Sequence, residues 1–125
     1  MRVLISSDVD IVVARQQGKA VAGAMNFSPI DAVFIATTVS ELARALLART
    51  ARGEIWLHRI HEPQRTGVVI VAREPFTRDG TSDGHRRDIS DPTLPDVYRL
   101  VDEFHIGSEA GQGTTITATK WCRRR

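Results

Sequence analysis

The stretch SPIDAVFIATTVSELARALLART, residues 28–50, predicts the longest helix of the chain. Ser28 is a preferred N-cap residue, Pro29 suits the first helical position, and Asp31 follows three residues after the cap, so that free backbone N–H groups can be satisfied reciprocally. Gly53 supplies a stop soon after the stretch ends. The residues that recur at helical spacing and are expected to form one stripe are Ile30, Val33, Phe34, Thr37, Glu41, Leu42, Ala45 and Leu46.

Glu41 is the acidic candidate of this helix. It lies on the same stripe as Thr37 and Ala45, so its carboxylate could face a functional site. The alternative is that Glu41 sits at the edge of the buried stripe and reaches water, as most glutamates do. Spacing alone favours this second interpretation and leaves the first open.

Length and composition indicate one globular domain. The 125 residues suit a single domain over residues 1–125, and 42% hydrophobic with 26% charged residues is ordinary for such a domain. The apolar runs are too short to span a bilayer, and the first residues do not read as a signal peptide, so we expect a cytoplasmic protein without membrane contact. Cys122 and four scattered histidines show no zinc spacing, and no metal site is predicted.

The charge pattern argues against nucleic acid as a partner. The net charge is +2, and the basic run is Arg123, Arg124 and Arg125 at the chain end, where a solvated tail is the default. No stretch interleaves basic with exposed aromatic residues, the arrangement typical of single-strand binding.

The rest of the chain predicts an α+β two-layer sandwich, with a mostly antiparallel sheet and the helices on one face. A first helix begins after the cap Ser7, with Asp10 completing a capping box, and ends at Asn26-Phe27. Alternating residues after Gly53 predict a strand that pairs as a hairpin with the apolar run TGVVIVAR. The remaining predicted segments are strands at 1–6, 103–108 and 114–121, a turn at 62–65, a long loop at 74–92 and a short helix at 93–101.

Four blocks of the sequence, in the same order, resemble the RsbT-like anti-sigma regulatory serine/threonine kinases. They are DIVVARQ at 10–16, SELAR at 40–44, LPDVYRLVDEF at 94–104, and GQGT at 111–114 with ATKW at 118–121. The resemblance implies the histidine-kinase-like ATPase fold. It also implies a bacterial partner-switching or stressosome pathway, with a STAS-domain protein as substrate or partner, and a role in controlling a sigma factor or the stress response.

The nucleotide motifs of that family are degenerate here. The family helix carries Glu-x-x-x-Asn, in which the glutamate helps to activate the attacking group and the asparagine holds magnesium. Glu41 matches the glutamate, whereas Ala45 at the asparagine position cannot ligate a metal. The adenine-binding Asp-x-Gly-x-Gly corresponds to Glu74-Pro75-Phe76-Thr77-Arg78, which brings a longer acid and bulky side chains.

The phosphate-binding lid has also changed. It reads SDPTLPD at 90–96, without glycine beside the helix. Thr93 and Asp96 can form a capping box, Pro95 removes a donor, and the Asp96 carboxylate lies where a phosphate would bind. The backbone N–H donors of this helix N-terminus are therefore expected to be satisfied by groups of the chain itself.

The closing turn keeps the family pattern. Gly111, Gly113 and Thr114 match it, and the resemblance implies that Thr114 lies near the base of the nucleotide. The alternative is a glycine turn of the kind that any antiparallel hairpin uses. With Glu74, these three residues are the expected, weak or vestigial nucleotide site.

These observations favour a pseudokinase that acts by protein–protein binding, with ATP binding weak or lost and no cofactor. The alternative is an active serine/threonine protein kinase that uses ATP and magnesium to phosphorylate a STAS-domain protein. Glu41 would then be the catalytic base, and Glu74, Asp79 and Asp83 would be candidate magnesium ligands. The loop at 77–92 is the expected partner-binding segment, and the alternative interpretation is a decayed lid that is merely disordered.

Overall fold

The structure is a computed structural model that describes residues 1–49, 52–74, 96–109 and 113–123, with the backbone alone for 108, 109 and 123. The strands are β1 (Arg2–Ile5), β2 (Gly53–Glu62), β3 (Arg65–Arg73), β4 (Glu103–Glu109) and β5 (Gly113–Arg123), and the helices are α1 (Asp8–Ala24) and α2 (Pro29–Arg49). All neighbouring strands are antiparallel in the order β1-β2-β3-β5-β4. The predicted α+β two-layer sandwich is confirmed, with the apolar run of β3 at its centre.

Both predicted helix starts are confirmed by their hydrogen bonds. The backbone N–H of Asp31 donates to Ser28 Oγ at 3.1 Å. At the start of α1, Asp10 Oδ2 accepts from the backbone N–H groups of Ser6 at 2.9 Å and Ser7 at 3.1 Å. These hydrogen bonds lower the pKa of the Asp10 carboxyl from its ordinary value of 3.8, with the Ser6 N–H as the largest cause. Short polar side chains thus fix the first turn of each helix.

The link between the helices is a tight turn through Asn26. Its φ of 63° lies in the left-handed region, which asparagine adopts more readily than most residues. The N–H of Phe27 then donates to the carbonyl of Ala22 at 3.1 Å, which uses one of the free carbonyls at the end of α1. The turn lets α1 and α2 pack side by side, as the short link predicts.

The core lies between the two helices and one face of the sheet. Alternate residues of β2, including Ile55 and Leu57, are buried, as the period-two pattern predicts. The remaining core residues of the sheet and helices include Ile5, Ile11, Ala14, Ile35, Val39, Leu42, Leu46, Val68, Ile70, Ala72, Ile116 and Ala118. Over the described residues, no helix is both long and apolar enough to cross a membrane.

The predicted stripe of α2 is wrong at its first turn. Ile30 is 65% and Val33 51% exposed, whereas Ile35 and Val39 are fully buried. The reason is that α2 packs against α1 as well as the sheet, so its buried face is centred on different residues. Gly18 of α1 allows a close approach, because a Cβ there would lie 3.0 Å from Val39 Cγ2.

The short helix predicted for 93–101 is confirmed over its described part only as a 3₁₀ helix. A single 3₁₀ turn, Val97–Arg99, is present, and Leu100 donates to the carbonyl of Val97 at 2.8 Å. The N–H of Asp102 then donates to the carbonyl of Thr119 at 2.9 Å, which draws the chain into the sheet. Residues 93–95 and the greater part of the predicted loop, 75–92, lie outside the described residues.

Candidate nucleotide site

Three sequence positions of the family's nucleotide motifs meet at the end of the sheet. Ala45 of α2, Glu74 after β3 and Thr114 of β5 line one cavity, together with Leu42, Leu46, Arg49, Ala72 and Ile116. The cavity has a volume of about 10 Å³. That is no more than the space a single water needs, so the described side chains nearly fill it.

Glu74 and Thr114 are joined by two hydrogen bonds. The N–H of Glu74 donates to the carbonyl of Thr114 at 3.0 Å, and the N–H of Thr114 donates to Glu74 Oε2 at 3.3 Å. Their neighbours Arg73 and Thr115 are partners in the β3–β5 register, so the sheet itself sets this approach. The Glu74 carboxylate is therefore positioned by the backbone of two adjacent strands.

Arg49, from the last turn of α2, binds this carboxylate. Its Nε donates to Glu74 Oε1 at 2.5 Å, and its Nη2 donates to Thr114 Oγ1 at 3.4 Å. The Arg49 side chain is 5% exposed and that of Glu74 11%, so the pair is buried. The Arg49 Nη1 is buried and has no hydrogen-bond partner among the described residues.

Sequence reasoning missed Arg49. A signal was present, because Arg49 follows Ala45 by four residues and so lies one helical turn further along the same face. A basic residue in the last turn of a helix is also expected near the negative end of the helix dipole, which makes it easy to take for a surface residue.

Glu41 lies apart from this pair. Its side chain is 41% exposed and its Oε1 accepts from Nη1 of Arg44 at 2.8 Å, in an ion pair on the surface of α2. Glu41 does not line the cavity described above. The structure thus places it at the edge of the buried face, where its carboxylate reaches water.

Gly113 has a structural reason to be glycine. Its φ of 77° lies in the left-handed region, at the point where β5 begins. Gly111 and Phe76 lie outside the described residues, as do Asp79 and Asp83.

The observed groups do not fit magnesium ATP in the way the resemblance implies. The Ala45 methyl offers no metal-ligating atom. The Glu74 carboxylate accepts a hydrogen bond from Arg49 of the same chain, and the cavity that the described residues line beside it, about 10 Å³, is too small for a purine. In the described ranges no group of three or more His, Cys, Asp or Glu residues is arranged to hold a metal ion.

Comparison with known proteins gives the family. No family model matches the chain. It is 37% identical over 127 aligned positions to the serine/threonine-protein kinase RsbT of Bacillus subtilis (strain 168), and the alignment covers 97% of this chain and 96% of that protein. Identity at this level over nearly the whole of both chains shows that this protein belongs to the RsbT family of serine/threonine-protein kinases.

Proposed function

We propose that the protein is a pseudokinase of the RsbT family, which regulates by binding a partner protein and has lost productive binding of magnesium ATP. The observation that carries the proposal is the buried Arg49–Glu74 pair, which uses the acid at the adenine position as a structural group. Ala45 adds to it, because the family's magnesium ligand is missing at the same cavity.

The energy of the buried pair supports a large loss of affinity. A purine that bound Glu74 would have to displace Arg49 and leave its guanidinium without a counter-ion. Breaking a buried pair in this way costs about 3–5 kcal/mol. Because about 1.4 kcal/mol corresponds to a tenfold change in the dissociation constant, nucleotide affinity falls by roughly 10²- to 10³-fold or more.

The proposed partner is a STAS-domain protein of a partner-switching or stressosome pathway that controls a sigma factor. The four sequence blocks and the RsbT relative support this proposal. The expected binding segment, 77–92, lies outside the described residues.

The described part of the chain offers a further surface for this partner. β1 is an edge strand, and an open groove of about 530 Å³ runs between β1 and α1. Met1, Leu4 and Val13, all exposed apolar residues, line it. Exposed apolar side chains beside a sheet edge are suited to binding an extended segment of another protein.

Calorimetric titration with magnesium ATP and with ADP is the direct test. We expect no binding up to millimolar nucleotide and no phosphate transfer to a serine or threonine of a purified STAS-domain protein. We also expect that protein to be captured by the wild type and captured less by Leu4→Glu. Ile30→Glu, an exposed position that does not line the groove, is the matched control. Micromolar nucleotide affinity would refute the proposal.

An active kinase is the second candidate, and two observations favour it. The relative that is 37% identical over almost the entire chain is named a serine/threonine-protein kinase. Glu41 is present with an accessible carboxylate, as a catalytic base requires. This candidate predicts phosphate transfer to the STAS-domain protein that disappears in Glu41→Ala, whereas the pseudokinase shows no transfer in either form.

A further inference from the structure

We infer that the Arg49 guanidinium is a built-in ligand of the Glu74–Thr114 cradle, and that its removal leaves a binding site for small planar cations with adjacent N–H donors, such as guanidinium and amidinium ions. The inference deepens the proposed function and rests on it, because it names what occupies the former nucleotide position. Arg49 is then an occupant of the site and not part of the frame around it.

The cradle is held together without Arg49. Glu74 Oε2 accepts from the backbone N–H of Thr114, and the N–H of Glu74 donates to the Thr114 carbonyl. These bonds belong to the ends of β3 and β5, and Arg49 takes no part in them. The carboxylate therefore keeps its position when the guanidinium is removed.

The Arg49 side chain fills the space beside the carboxylate. The remaining cavity is about 10 Å³, and apolar residues of α2, β3 and β5 form much of its wall: Leu42, Ala45, Leu46, Ala72 and Ile116. Truncation of Arg49 to alanine vacates the volume of one ethylguanidinium ion beside a carboxylate that is 11% exposed. A buried carboxylate without a counter-ion favours any cation of matching shape.

The hydrogen bonds of Arg49 define the chemical class of the occupant. Arg49 uses Nε for the carboxylate and Nη2 for the Thr114 hydroxyl, whereas its buried Nη1 has no partner among the described residues. Within the described part of the chain, the cradle thus accepts hydrogen bonds from two nitrogens of the guanidinium, Nε and Nη2. An amidinium, or the amino edge of a purine, presents such donors as well, so the test includes ADP as a separate arm.

The experiment measures the thermal unfolding of Arg49→Ala in increasing ethylguanidinium chloride, at constant ionic strength. At about 100 times the dissociation constant, bound ligand shifts the unfolding equilibrium by about 100-fold, and Tm rises accordingly. We expect this rise in Arg49→Ala alone. Wild type, in which the site is filled, and Arg44→Ala, which loses an exposed arginine of the same helix, are the controls.

A double variant, Arg49→Ala with Glu74→Gln, removes the charge of the acceptor and should lose the response. An equal response in wild type and Arg49→Ala, or one that persists in the double variant, overturns the inference. If Arg49→Ala does not fold alone, its refolding yield is measured with and without ethylguanidinium. Recovery in its presence supports the inference, and lack of recovery overturns it.

The outcome is separable from that of the proposed function. Nucleotide binding by the wild type tests the pseudokinase, whereas the ethylguanidinium response of Arg49→Ala tests the cradle. In the ADP arm, a rise in Tm of Arg49→Ala that depends on Glu74 supports the cradle as a former purine site. A rise that persists with Glu74→Gln overturns that assignment.

Discussion

Glu74→Ala should destabilise the whole domain. According to the family's sequence motifs, the acid at this position binds the adenine of the nucleotide. Its loss would then chiefly lower nucleotide affinity. Here its loss leaves the Arg49 side chain, only 5% exposed, without a counter-ion, which costs about 3–5 kcal/mol. With an unfolding entropy of about 2.1 cal/mol/K per residue over 125 residues, this corresponds to a fall in Tm of roughly 10–20 °C.

Calorimetry or circular dichroism measures this fall, and two variants calibrate it. Glu62→Ala breaks an exposed pair with Arg65 and should cost less than about 1 kcal/mol. Replacing Arg49 and Glu74 together by methionine removes both charges and should recover much of the stability that Glu74→Ala loses, because a buried pair can be replaced by apolar side chains. A Glu74→Ala protein as stable as Glu62→Ala would refute the reasoning. The Glu74 carboxylate of the wild type would then be available to a ligand.

Three further substitutions test other parts of the structure. Glu41→Ala breaks an exposed ion pair, so the free energy of unfolding measured with denaturant should change by less than about 1 kcal/mol. Gly67→Ala would place a Cβ 2.7 Å from Trp121 Cε3, so the ring must move. We expect the free energy of unfolding to fall by about 1–3 kcal/mol and the tryptophan fluorescence to change. Unchanged stability and fluorescence would contradict this packing. Asp10→Asn removes the carboxylate whose pKa is lowered by the Ser6 N–H. Since the folded-state pKa lies below the unfolded value, the stability it contributes is present above about pH 4 and is lost as pH falls further; the Tm difference from wild type should therefore shrink at about pH 3.

The elements that the sequence predicted correctly are those with local signals. Ser28 and Pro29 marked the start of α2 because capping involves neighbours within one helical turn. The alternation through Ile55 and Leu57 marked β2 because the two faces of a strand differ in burial. Such signals need no knowledge of distant residues, and they were sufficient for the two-layer architecture.

The sequence predictions failed where contacts with other elements determine the local structure. Ile30 and Val33 have the spacing of a core stripe, yet they are exposed because α2 is buried on two sides further along its length. The 3₁₀ turn Val97–Arg99 does not continue as a helix, and three residues later the N–H of Asp102 donates to the carbonyl of Thr119 in β5. In both cases a contact from another element overrides a local preference, which the sequence pattern does not contain.

The site was predictable to the extent that it follows from motifs. Glu74, Thr114 and Ala45 were found by their places in the family pattern, and the structure brings them to one cavity. Arg49 was not, because it belongs to no motif and its partner Glu74 is 25 residues away along the chain. No sequence rule pairs a helix end with a strand end at that separation.

Each charged residue of the buried pair depends on the other for its counter-ion. Glu74 alone would bury a carboxylate without a counter-ion, and Arg49 alone would bury a cation, each at a cost of several kcal/mol by the same argument. Their combination is nearly neutral in charge, fills the cavity and joins α2 to the ends of β3 and β5. An internal ion pair therefore occupies the position at which the family motifs would place a nucleotide.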